Sequence, residues 1–190
     1  MKLPTFKRLA LLIFVIVPLV AWFVVKPVRV LAPGLTSVVC PARGICVDEV
    51  SKFEEAKALH TESRAFVSTA LAPLHDEPKV IFCSTVACAD SFGLGARSAV
   101  TVALFGTVIG PNAWKPYYVR HEMIHVLQGE KIGVVSLMFK PSWFVEGMAY
   151  ALSEDPREPL AEPFESDRKI FRKWYQTTGK ESVWSAANQL

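Results

Sequence analysis

His121-Glu122-Met123-Ile124-His125 reads H-E-x-x-H, and the rest of the chain is read outward from it. Residues four apart on a helix share one face, so both imidazoles can meet a single metal ion. Glu122 sits one step round the same helix, beside such an ion, where a carboxylate can take a proton from water. Two nitrogen ligands and one base make the minimal kit of a zinc hydrolase, with a third ligand still to be found. Pro116 suits the first turn of a helix and Gly129 falls where a C-terminal cap would stand, so the motif predicts a helix over 116–128. Tyr117, Tyr118, Met123, Ile124, Val126 and Leu127 supply its buried face. The competing reading is an ordinary amphipathic helix with two buried histidines.

The third ligand narrows the class. A metzincin would carry a glycine three residues after His125 and a histidine three further on, but Gln128 and Lys131 stand there. No histidine follows His125, which leaves a carboxylate or a cysteine. Glu146 lies in Ser142-Trp143-Phe144-Val145-Glu146-Gly147-Met148-Ala149-Tyr150. Pro141-Ser142 predicts a helix start with Ser142 as N-cap, and Asp155-Pro156 closes that helix near Ser153. Gly147 lets another backbone approach closely.

H-E-x-x-H followed by a helix bearing W-x-x-E-G-x-A resembles the gluzincin zinc peptidases, the group of the thermolysin-like enzymes and zinc aminopeptidases. The resemblance covers roughly residues 116–153. It implies one Zn2+ per chain held by His121, His125 and Glu146, with Glu122 as general base. Tyr150 stands one turn after Glu146, where thermolysin-like enzymes carry an aspartate that supports a zinc histidine; a tyrosine can hydrogen-bond in that role. No downstream histidine is present to stabilise an oxyanion. Tyr150 and Tyr175 are the candidates for that work, against a plain packing role for either. Gluzincins bind substrate backbone along an edge strand just before the metal helix, and 99–109 is the segment that would serve, or else be a plain core strand.

Residues 9–25 form an uncharged apolar run preceded by Lys2, Lys7 and Arg8. At about 1.5 Å per residue the run is near the short limit for crossing a bilayer. Pro18 would kink it, and Lys26 can snorkel at the far end. The reading is a basic cytoplasmic terminus (1–8), a transmembrane signal-anchor (9–26), a linker (27–46) and one zincin-like domain (47–190). A signal peptide cleaved after Ala32 is the alternative. Both export the domain, to the periplasmic or extracellular side of the cell (inner) membrane. Cys40 with Cys46, and Cys83 with Cys88, are the simplest disulfides for an oxidising compartment, with a second metal site as the competing use.

Lysine and arginine number 21 against 18 acidic residues, and the excess of three equals Lys2, Lys7 and Arg8. No basic stripe exists to hold phosphates, so nucleic-acid binding has no support. Further elements expected are a long helix over 47–74, a strand over 79–84, a strand region over 99–109 and a final helix from Pro163 to Thr178. The fold class is therefore α+β, a small zincin-like domain with a short mixed sheet. The functional expectation is a membrane-anchored zinc metallopeptidase acting on a peptide or protein of the cell envelope. Two rivals stand beside it: a catalytically silent zinc-binding module that serves interaction or assembly, and an anchored structural protein with an accidental motif.

Overall fold

The computed structural model describes residues 9–10 and 12–190; Lys2, Lys7 and Arg8 lie outside the described residues. The chain is α+β around a five-stranded mixed sheet in the order β1-β2-β3-β5-β4. The strands are β1 (Val39–Ala42), β2 (Ile45–Val47), β3 (Lys79–Phe82), β4 (Ala99–Val102) and β5 (Gly106–Ile109). β2, β3 and β5 run parallel, and β1 and β4 lie antiparallel at the two edges.

Both faces of the sheet are covered, and the side-chain period of two sorts residues between them. Ile45, Val47, Val80, Phe82 and Ile109 point into the main core. Cys46, Ile81 and Val108 point into a second, smaller one with Val30, Phe92 and Leu94. The main core lies beneath α2 (Phe53–Ala70), α4 (Pro116–Ile132), α6 (Ser142–Leu152) and α7 (Phe164–Asn188). Short helices α1 (Val17–Val24), α3 (Val86–Ser91) and α5 (Val134–Leu137) complete the elements used below.

The disulfides are Cys40–Cys46 and Cys83–Cys88, the pairing expected from spacing. Asp48 ties the two loops together: its carboxylate accepts from Ser84 N (2.8 Å), Thr85 N (3.1 Å) and Thr85 Oγ1 (2.9 Å). Burial alone would raise this carboxyl, but those bonds outweigh it and hold the group below its ordinary value. A depressed carboxylate stabilises the fold above its unfolded pKa, and the contribution is lost as pH falls through the folded value. Asp48→Asn is therefore expected to lower Tm at neutral pH, with the gap to wild type closing on acidification. A pH-independent gap in parallel melts would contradict this.

Several expectations are corrected. The long helix starts at Phe53, not 47, because Ile45-Cys46-Val47 is a buried strand pinned by its disulfide. The 27–46 stretch is no free linker: Val30 and Val38 are buried and β1 and β2 join the sheet. Region 99–109 is two antiparallel strands with Ala103 at φ +50° in the turn between them. The last helix continues to Asn188 across a break at Gly179 (φ +74°), and Val183 and Ala187 are buried. In the apolar run 9–25, a π-helical turn (Leu12–Ile16) precedes α1, whose second residue is Pro18. Pro18 lacks the N–H that would continue one α-helical ladder through the run. No helix among the described residues is long and apolar enough to cross a membrane.

Candidate metal centre

α4 begins with Pro116 in its first turn and ends at Gly133, whose φ of +87° stops the helix. It is one turn longer than expected, and Gly129 lies inside it. A Cβ on Gly129 would stand 3.0 Å from Leu104 Cδ2, so this glycine serves close packing and Gly133 ends the helix. α6 starts after Pro141, and Ser142 does not cap it; the Ser142 hydroxyl donates instead to Asp167 Oδ2 at 2.6 Å. Gly147 behaves as expected: a Cβ there would meet Asp167 O at 2.4 Å, so its absence lets α6 and α7 touch backbone to backbone.

These two helices bring His121, His125 and Glu146 together. His121 Nε2 and His125 Nε2 are 3.1 Å apart. Glu146 Oε2 lies 3.5 Å from His121 Nε2, and Oε1 lies 3.7 Å from His125 Nε2. Donors around a tetrahedral ion at about 2.1 Å stand about 3.4 Å from one another. The observed spacing fits that arrangement, and the three residues could hold a metal ion. Burial alone would raise the Glu146 carboxyl, but the two histidines hold it below its ordinary value, in the anionic form a ligand needs.

Gln128 orients the site, and sequence reading did not find it. Its Oε1 lies 2.9 Å from His125 Nδ1, which makes that nitrogen the N–H donor and turns the Nε2 lone pair toward Glu146. Its Nε2 donates to Val145 O at 3.0 Å and Phe144 O at 3.4 Å. One buried amide thus fixes a histidine tautomer and holds the turn of α6 that carries Glu146. Gln128→Leu is expected to weaken metal binding about 10–100-fold, measured by competition with a chelator of known affinity. Unchanged affinity would show that the amide orients nothing.

Glu122 is buried beside the histidines, and Thr101 Oγ1 of β4 donates to its Oε2 at 2.7 Å. Thr101 Oγ1 lies 2.9 Å from Thr107 Oγ1 of β5, so the hydroxyl that holds the carboxylate is itself tied to the neighbouring strand, another contact the sequence did not reveal. Burial pushes the Glu122 carboxyl up, assisted by the charge of Glu146 and opposed by His125, the Thr101 hydroxyl and Arg97. A raised carboxylate is a better proton acceptor near neutral pH than an ordinary one.

Tyr150 lies against the site without supporting it by hydrogen bonding. Its ring meets His121 edge-on at 4.4 Å and Phe164 at 5.1 Å. Its phenol is pushed up to about 12, first by burial and then by the charge of Glu146. At neutral pH it is therefore an O–H donor facing the cleft. Gln128 takes the orienting role expected of Tyr150. Tyr175 stacks on Phe171 at 5.4 Å and does not line the cleft, so it is no candidate for oxyanion stabilisation.

His121, Glu122, His125 and Glu146 line a cleft of about 580 Å³, with edge strand β4 along one wall. Tyr118, Tyr150, Arg157 and Phe164 form another wall. Arg157 is fixed there, donating to Asp155 Oδ1 (2.9 Å) and to the Tyr118 hydroxyl (2.9 Å). No protein-family model, curated protein or solved structure matches this chain.

Proposed function

We propose that this chain is a gluzincin-like zinc metallopeptidase, anchored by residues 9–26 and facing the periplasm or the outside of the cell. The observation that carries the reading is the convergence of two Nε2 atoms and a carboxylate beside a buried glutamate, in a cleft walled by an unpaired strand edge. Two imidazoles with one carboxylate is the ligand set of catalytic zinc sites in peptidases, and a bound zinc ion would supply Lewis acidity toward water and a peptide carbonyl. Two disulfides accord with an oxidising compartment.

The chain's own residues have distinct parts in this reading. Glu122 accepts a proton from the attacking water at the carboxylate and passes it to the leaving amine. Thr101 keeps that carboxylate in one rotamer. Edge strand β4 offers backbone groups to an extended peptide laid along the cleft. Tyr150 donates its O–H to the carbonyl oxygen as charge develops there.

The test is hydrolysis of a diverse peptide mixture by the full chain, reloaded with zinc near neutral pH. The expected result is cleavage that a chelator abolishes and zinc restores. A zinc-loaded protein inert on all peptides would support the second reading, a silent zinc module for interaction or assembly. That reading draws on Val135, Met138 and Phe139, exposed apolar side chains in the segment between the two metal-site helices.

A further inference from the structure

Arg157 is presented to the cleft by a carboxylate that lies behind it. The Asp155 side chain is 1% exposed and the Arg157 side chain 38%. Asp155 takes one edge of the guanidinium: Nε donates to Oδ1 at 2.9 Å and to Oδ2 at 3.1 Å, and Nη2 donates to Oδ2 at 2.5 Å. The Tyr118 hydroxyl accepts from Nη1 at 2.9 Å. A guanidinium carries one N–H on Nε and two on each Nη. One N–H of Nη1 and one of Nη2 therefore have no partner among the described residues. The backbone of Arg157 is fixed as well. Its N–H donates to Asp155 Oδ1 at 3.0 Å, and its carbonyl accepts from Nη1 of the buried Arg168 at 2.9 Å. Arg168 is paired in turn with buried Glu165, which accepts from Leu160 N at 3.0 Å. A cation held this firmly binds a ligand without the cost of ordering its own side chain.

The cleft has two unlike ends, which the alignment of β4 with α4 defines. Thr101 Oγ1 donates to the Glu122 carboxylate at 2.7 Å and to its carbonyl at 3.2 Å, while Leu104 packs over Gly129. Strand and helix therefore run side by side in the same direction, with the start of β4 toward the first turn of α4. Arg97, just ahead of β4, and Arg157, bonded to Tyr118 in the first turn of α4, both stand at this end. Arg97 donates to Leu94 O at 3.2 Å and Gly93 O at 3.0 Å, and its charge reaches Glu122. The charged residues of the cleft lining are Arg97, Arg157, Glu122 and Glu146. Both acids belong to the metal centre, so the charge offered at the first turn of α4 is positive. The other end, beyond Gly129, is lined by Ala103, Val134 and Leu137 and carries no charge.

We infer that Arg157 grips a carboxylate of the polypeptide substrate through the remaining N–H groups of Nη1 and Nη2, at the end of the cleft beside the first turn of α4. N–H groups on both Nη atoms suit the two oxygens of a planar carboxylate better than a single carbonyl oxygen. Arg97 at the same end adds positive charge that favours approach of an anionic peptide. The carboxylate is an Asp or Glu side chain or a free C-terminus, since both present the same anion, and the experiment tells them apart. This inference rests on the peptidase reading and deepens it: the substrate carries a carboxylate on one side of the bond that is cut.

The test uses the zinc-reloaded full chain and matched synthetic peptides, built on sequences cut from the diverse mixture, or on members of that mixture if none is cut. In one set Glu replaces Gln at each position in turn, with the C-terminus amidated. In the other the sequence holds no acid and the C-terminus is free or amidated. The expected result is a kcat/KM about tenfold or more higher for the acid in one set, carried by KM, and that set identifies the source of the carboxylate. Asp155→Asn with Arg157→Gln, which leaves no buried acid unpaired, is expected to bring the pair to parity with zinc content unchanged. Arg157→Lys keeps a cation beside Asp155 without the fork; it is expected to lower the ratio severalfold and serves if the double variant does not fold. Equal rates within both sets overturn the carboxylate site and leave the peptidase reading standing. A ratio that survives the loss of Arg157 overturns its assignment. If no peptide is cut, the peptidase reading fails, and retention of the same peptides on the immobilised zinc-loaded chain decides the site. Acids retained more strongly by wild type than by the variant sustain the role of Arg157, and equal retention overturns it.

Discussion

Glu122→Gln is expected to keep its metal and to lose roughly a hundredfold or more in peptide hydrolysis, the scale of a general base. The substitution is close to isosteric, and the new amide carbonyl can still accept the Thr101 hydroxyl that now holds Oε2 at 2.7 Å. None of the three proposed ligand atoms belongs to Glu122, so zinc content should be unchanged. Burial already raises this carboxyl, so a neutral side chain at the position costs the fold no favourable charge. The loss should therefore fall on kcat, with the melting temperature at or above the wild-type value. A rate within a few-fold of wild type would remove Glu122 from the mechanism.

Gly147→Ala is expected to damage stability and metal binding together. The added methyl would stand 2.4 Å from Asp167 O and 2.8 Å from Asp167 C, backbone atoms in the first turn of α7 that no rotamer change can clear. Either the two helices separate or α6 rotates, and overpacking of this kind costs about 1–3 kcal/mol. In a domain of this size each kcal/mol lowers Tm by about 2–4 °C. Because Glu146 precedes Gly147, the same displacement carries the third ligand away from the histidines. Gly129→Ala is the comparison, since its methyl would meet Leu104 Cδ2 at 3.0 Å, the far end of a side chain that can turn aside. The expected order of Tm is wild type, then Gly129→Ala, then Gly147→Ala, with reduced zinc affinity in the last. Equal stability of the two variants would mean that helix contact at Gly147 is not a tight constraint.

The part of the site legible in the sequence is the part that local periodicity dictates. His121, Glu122 and His125 are placed by the helical repeat alone, and Gly147 declared a close approach by being glycine amid large side chains. The absence of a later histidine left a carboxylate or a cysteine for the third position, and the resemblance of W-x-x-E-G-x-A to the gluzincins singled out Glu146. Gln128 and Thr101 were not legible, since each acts across elements: Gln128 reaches the carbonyls of Val145 and Phe144, and Thr101 reaches Glu122 from an edge strand. A polar residue one turn after a candidate ligand histidine is the signal that would have found Gln128.

The fold shows the same division. The apolar strand expected over 79–84, observed over Lys79–Phe82, and the disulfide loops were legible, but the β4–β5 hairpin was not, because its turn puts Ala103 rather than glycine or asparagine at positive φ. Gly129 and Gly133 are both plausible helix stops by type, and only packing decides between them: Leu104 fills the space at one, and the other turns to positive φ. In residues 9–25 a break at Pro18 was expected, and it takes the form of a π-helical turn (Leu12–Ile16) followed by α1, whose second residue is Pro18.

The measurement that bears most directly on the account is zinc stoichiometry of the oxidised full chain after reloading near neutral pH, wild type beside Glu146→Ala. The account predicts one zinc per wild-type chain, with binding weakened or lost in the variant, because His121 and His125 alone leave the ion without its carboxylate. A wild-type chain that takes up no zinc, or a variant that holds it as tightly, would contradict the His121–His125–Glu146 centre.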